Sequence, residues 1–112
     1  MPSADLKLVC LEALDDLKAQ DILVLDISAI SGFADSMIIA TASSSRNAKA
    51  IASNVIQSVK AHHFEVIGTE GQDESEWVLI DCGDVVVNVM QKETRVFYDL
   101  ESLWGEATLI TE

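Results

Sequence analysis

The sequence predicts a single α/β (α+β) domain, 1–112, built as a mixed sheet of about five strands with helices packed on it in the order αββαβββα. Three observations carry that expectation. Two segments repeat apolar residues at helical spacing, five short apolar runs rich in β-branched residues are bounded by turn residues, and 112 residues hold one hydrophobic core.

In the first helical segment Leu6, Val9, Cys10, Ala13, Leu14 and Leu17 fall at i, i+3, i+4, i+7, i+8 and i+11, with Asp5, Glu12, Asp15, Asp16 and Lys18 between them. Ser3 is the expected N-cap, and Asp5 suits the positive end of the helix dipole. Residues 22–27 (ILVLDI) and 37–42 (MIIATA) are too short for helices and apolar on both faces, as buried strands are. Gly32 and small polar residues supply the connection between them. Ser43, Ser44 and Ser45 offer caps for a second helix over roughly 45–61, whose core stripe is Ala48, Ile51, Ala52, Val55, Ile56 and Val59. Its outer face is expected to carry Arg46, Asn47, Lys49 and Asn54.

Three further strands are expected at 64–70 (FEVIGTE), 77–82 (WVLIDC) and 85–90 (VVVNVM). The Gly83-Asp84 pair between the last two is a tight-turn signal, so these two should pair antiparallel. A helical turn through Val96, Leu100 and Leu103, with Trp104 beside it, closes the pattern.

Apolar residues make up 49% of the chain and charged residues 23%, a balance that folds rather than remaining disordered. No apolar run approaches the roughly 18 residues that cross a bilayer, and the N-terminal segment lacks the basic-then-apolar order of a secretory signal. The expected location is the cytoplasm. Cys10 and Cys82 form no CxxC or metal-spaced pattern and are expected as buried, reduced thiols.

The formal net charge is −12, from 19 acids against 7 scattered bases. Phosphate backbones need clustered Lys and Arg, so direct DNA or RNA binding is disfavoured and a basic protein partner is favoured. Net charge of this sign also keeps a domain soluble, so charge alone selects no function.

Catalytic signatures are missing: there is no GxSxG, GxxxxGK[ST], GxGxxG or HExxH pattern, and no metal or cofactor is expected. Glu70, Asp81 and Asp84 are the best candidates for a metal-dependent enzyme, although Asp81 and Asp84 are better explained as caps of the Gly83 turn. Between Lys60 and Lys92 there is no Lys or Arg, yet Glu65, Glu70, Asp73, Glu74, Glu76, Asp81 and Asp84 all lie there. Trp77 stands within that stretch, and Tyr98, Asp99, Glu101 and Trp104 follow it. Aromatic rings beside carboxylates make a protein-binding surface, with Glu70, Trp77, Asp99, Glu101 and Trp104 as expected contacts. The competing reading places both tryptophans in the core.

The segments DILVLDIS, ADSMIIATASSSRNAKAIASNV, Glu70-Gly71, EWVLIDCGDVVVNVM and TRVFYDLESLW resemble, in order and spacing, the ribosomal silencing factor family, also called the Iojap or RsfS family. The resemblance covers almost the whole chain. Its most specific parts are the WVLIDCGDVVV hairpin and the R-x-F-Y-D-L-E-x-L-W ending. It implies a non-enzymatic translation repressor with a nucleotidyltransferase-like fold that lacks that fold's catalytic motif. The implied partner is the large ribosomal subunit, bound through its basic ribosomal protein number fourteen. Joining of the small subunit is then blocked and translation falls under nutrient limitation. Organellar relatives are linked to ribosome biogenesis through assembly of the large subunit, and members are homodimers when free. A rival from another class is a diverged nucleotidyltransferase-like enzyme using Glu70, Asp81 and Asp84. Asn88 and Met90 stand where family members often carry His and Phe, and Cys82 stands at a commonly aromatic position.

Overall fold

The computed structural model describes residues 2–28, 32, 34–99 and 108–110. Helix α1 (Pro2–Asp16) buries Leu6, Val9, Cys10, Ala13 and Leu14, as their spacing requires. It begins one residue before Ser3, so that serine lies inside the first turn rather than at the cap. Pro suits this position because the first helical N–H groups have no intrahelical partner. The helix stops where Lys18 turns left-handed (φ 63°), with the Lys18 and Ala19 N–H groups bonded to the Asp15 and Leu14 carbonyls. Leu17, one residue past the last helical position Asp16, lies outside the core.

Helix α2 (Ser45–Ala61) is capped by Ser44, whose extended backbone lets Oγ accept from the Asn47 N–H at 3.0 Å. It buries Ala48, Ile51, Ala52, Val55 and Val59. Asn54 leaves the outer face assigned to it: its Nδ2 donates to the Ala13 carbonyl at 2.9 Å and fastens α2 to the end of α1.

The strands are β1 (Gln20–Asp26), β2 (Ser36–Ala42), β3 (Gly68–Glu70), β4 (Trp77–Asp81), β5 (Val85–Gln91) and β6 (Thr108–Ile110), with a short helix α3 (Lys92–Tyr98) after β5. They form one mixed sheet in the order β3-β4-β5-β2-β1-β6, parallel only between β2 and β5. All five predicted strands are present, and β6 extends the sheet beyond β1. The strand expected over 64–70 shrinks to its last three residues. Phe64 and Val66 instead pack irregularly against the helix-side core.

Register divides the sheet into two faces. One carries Val24, Ile38, Ala40, Val78, Ile80, Val85, Val87 and Val89 and packs on α1 and α2. The opposite face carries Leu25, Met37, Ile39, Val86 and Met90, with Leu23, Trp77 and Leu79 at its margin. The small side chains of Ala48 and Ala52 on α2 leave room for close approach to the valine-rich face, which gives the interdigitation of a native core.

The β4–β5 turn is closed by the Cys82 N–H to the Val85 carbonyl at 3.0 Å, with Gly83 at φ +87°. Asp81 Oδ1 accepts from the Gly83 N–H at 2.9 Å, the capping role expected of it. Asp84 acts through its backbone: its carbonyl accepts from the Asp35 and Ser36 N–H groups at 2.9 and 3.1 Å and joins the hairpin to the start of β2. Cys10 and Cys82 are free, buried thiols of the helix-side core. Hydrogen bonding to Cys82 and burial push the Cys10 thiol up, while the same bond draws Cys82 below the ordinary thiol value.

Candidate functional site: an acidic loop beside an exposed aromatic helix

The loop between β3 and β4 begins at Gly71, with φ +81°. A Cβ at this position would lie 2.0 Å from the Trp77 carbonyl oxygen, so only glycine allows the two segments to approach. Ser75, fully buried at φ 59°, pins the loop: its N–H donates to the Gly71 carbonyl at 2.9 Å and its hydroxyl to the Gln72 carbonyl at 2.7 Å. Gln91 grips the loop from β5, donating from Nε2 to the Ser75 carbonyl at 3.0 Å and from its backbone N–H to the Glu76 carbonyl at 2.9 Å. Glu74 and Glu76 therefore present their exposed carboxylates from a fixed backbone.

Trp77 opens β4 and is half-buried at the margin of the sheet face opposite the long helices. Its Nε1–H donates to Asn88 Oδ1 at 2.8 Å. Part of the residue is covered and part remains accessible, so it lies between the core and the surface positions weighed for it.

Helix α3 follows β5 directly, without a side-chain cap at Gln91, and ends where Asp99 turns left-handed at φ 51°. None of its residues is buried. Val96 is 73% exposed, Phe97 80% and Tyr98 52%, so three consecutive large apolar side chains face outward. Arg95 fastens the helix, its Nη1 donating to the Asp21 carbonyl at 2.6 Å and to Thr41 Oγ1 at 2.8 Å. Tyr98 packs on Trp77 with ring centroids 4.9 Å apart, and Phe97 meets Tyr98 edge-on at 5.1 Å. A shallow hollow of about 140 Å³ is shared by Gly71, Glu74, Glu76, Trp77, Thr94 and Tyr98. It joins the acidic loop to the aromatic helix.

Of the expected contacts, Trp77 lies within this arrangement. Glu70 is exposed one residue before Gly71, in a neighbouring hollow that also holds Asp73 and Glu74. Asp99 is exposed directly after Tyr98, but it lines a hollow on the other flank of α3 with Asp21, Lys92 and Arg95. Glu101 and Trp104 lie outside the described residues. Val96, Phe97, Glu74 and Glu76 were not among the expected contacts. The available signal was the run Val96-Phe97-Tyr98 itself, because consecutive positions on a helix point about 100° apart and cannot all face one core. Among the described residues no three His, Cys, Asp or Glu side chains are placed to hold a metal ion, and Glu70, Asp81 and Asp84 do not converge.

The family model described as "Ribosomal silencing factor during starvation" matches residues 1–112. The chain belongs to the ribosomal silencing factor family. It is 42% identical over 105 residues to a ribosomal silencing factor of Chromobacterium violaceum, covering 94% of this chain and 86% of that protein. It is 44% identical over 97 residues to a ribosomal silencing factor of Bacillus subtilis, covering 87% and 82% respectively. A crystal structure of a Chromobacterium violaceum protein superposes with a TM-score of 0.91 at 42% identity, covering 94% of this chain and 88% of that one.

The positions singled out as departures from the pattern of the ribosomal silencing factor family have structural explanations. Asn88 and Met90 are both buried in β5, Asn88 as the acceptor for Trp77 and Met90 directly opposite Trp77 across the hairpin. Cys82 fills the helix-side core beside Cys10.

Gly71 admits no side chain at the start of the β3–β4 loop. Gly71→Ala is expected to cost about 2 kcal/mol or more, from left-handed backbone strain and the clash with Trp77. Urea unfolding measures the loss, and an unchanged midpoint would contradict the geometry described.

Proposed function

We propose that this chain binds the large ribosomal subunit through the basic ribosomal protein number fourteen and blocks joining of the small subunit, repressing translation under nutrient limitation. It acts in the cytoplasm as a binding factor rather than an enzyme, without metal or cofactor, and is a homodimer when free. Membership in the ribosomal silencing factor family supports the ribosome as target. The observation that carries the reading is the exposed Phe97–Tyr98 pair packed at Trp77 beside an acidic loop. Aromatic rings desolvate the centre of such an interface while carboxylates at its rim attract a basic partner. Among the described residues no helix is long and apolar enough to cross a membrane, and the acidic surface disfavours direct DNA binding.

Charge reversal separates a local site from a general effect of net charge. Asp99→Lys with Glu101→Lys should weaken co-sedimentation with isolated large subunits by about tenfold or more and restore subunit joining. Asp5→Lys with Glu12→Lys, the same change in charge on the exposed side of α1, should alter binding by less than about threefold. Equal losses in both would mean that only net charge matters, and no loss in either would remove Asp99 and Glu101 from the interface.

Truncating Trp77 to Ala should cost about 2 kcal/mol of binding, seen mainly as faster dissociation, whereas raising salt should mainly slow association. Wild-type dissociation rates in that variant would sink the aromatic anchor. Light scattering of the free protein should give twice the 12.2 kDa chain mass. A monomer at high micromolar concentration would refute the dimer.

A further inference from the structure

Residues Val85, Val86, Val87, Asn88, Val89 and Met90 of β5 are all buried, and Asn88 is the single polar side chain among them. Its neighbours across the sheet are Leu79 on β4 and Ile39 on β2. A primary amide in such surroundings has given up water on both its donor and acceptor sides and must recover hydrogen bonds within the protein. Asn88 recovers both. Oδ1 accepts from Trp77 Nε1–H at 2.8 Å, and Nδ2 lies 3.4 Å from the Ile38 carbonyl, toward which it donates. The amide orientation follows from chemistry, because an indole nitrogen can only donate.

Trp77 is paired with Met90, which makes Asn88 its diagonal neighbour on the same sheet face. The indole has one polar atom. Apolar contacts alone leave a flat ring several orientations, and a buried acceptor for the N–H selects one of them. Tyr98 packs against that ring, and Phe97 packs against Tyr98.

We propose that Asn88 is a positioning residue for the partner-binding surface. It holds the Trp77 indole in the orientation against which Tyr98 packs at a tilt, so that the aromatic edge is assembled before a partner arrives. The consequence for affinity rests on the ribosome-docking reading; the orientation of the indole does not. Leu at this position fills similar volume without an acceptor, whereas an imidazole nitrogen of His can accept the same bond.

The test compares Asn88→Leu with Asn88→His by two readouts: hydrogen exchange of the Trp77 indole N–H, whose NMR signal is assigned by its loss in Trp77→Phe, and affinity for isolated large subunits. In Asn88→Leu the indole should exchange at least about tenfold faster and binding should weaken about tenfold, while Asn88→His stays within about threefold of the unsubstituted protein in both. In the Trp77→Phe background, which has no indole N–H, adding Asn88→Leu should weaken binding by less than about threefold. Equal losses in the two backgrounds would mean general damage to β5 and overturn the proposal. An indole that exchanges in the unsubstituted protein as freely as in tryptophan itself overturns it without any variant. Unchanged affinity in Trp77→Ala overturns the docking reading instead, leaving the indole measurement to decide the role of Asn88.

Discussion

Strands β2 and β5 run parallel through the middle of the sheet, and almost every residue on both is buried. A parallel pair of this kind must be covered on two faces, since neither face offers polar side chains to water. Helices α1 and α2 cover the valine-rich face, using Ala13, Ala48 and Ala52 to come close. The opposite face also carries fully buried Ile39 and Met90, and Trp77 is drawn over its margin from the neighbouring strand. Covering that face with a tryptophan brings an indole N–H into apolar surroundings, and Asn88 answers it from the central strand itself. The aromatic edge is thus a consequence of how the sheet is sealed.

The same geometry makes the edge suitable for binding. Helix α3 adds nothing to the core, yet the Arg95 hydrogen bonds and the Trp77–Tyr98 packing hold it in place. The acidic loop is pinned by Gly71, Ser75 and Gln91. Groups already fixed lose little conformational entropy on association, so more of the energy of desolvating Phe97 and Tyr98 becomes affinity. The segment 61–91, rich in acids and without Lys or Arg, disfavours contact with nucleic acid and agrees with the basic protein partner proposed above.

Local patterns made much of this legible. The helical spacing located α1 and α2, the serine run contained the Ser44 cap, and Gly83-Asp84 marked the hairpin. Those features depend on neighbours within a few residues. Strand order and the parallel β2–β5 pairing depend on contacts about fifty residues apart, and no local signal encodes them. Strand β6 has three residues and falls below the length at which alternation can be read. The role of Asn88 was hidden because its donor partner, the Trp77 indole, is eleven residues away on another strand. Trp77 was legible as an aromatic among acids, but Val96 and Phe97 read as part of a closing helical turn until the structure left them outside.

The central claim is that the β3–β4 loop, Trp77 and α3 form the face that meets the large subunit. Backbone hydrogen–deuterium exchange of the chain, free and bound to isolated large subunits, tests it most directly. The account predicts slowed exchange in residues 70–77 and 92–98 on binding, with the amides of α1 unchanged. Protection confined to α1, with the loop and α3 exchanging as in the free protein, would contradict it.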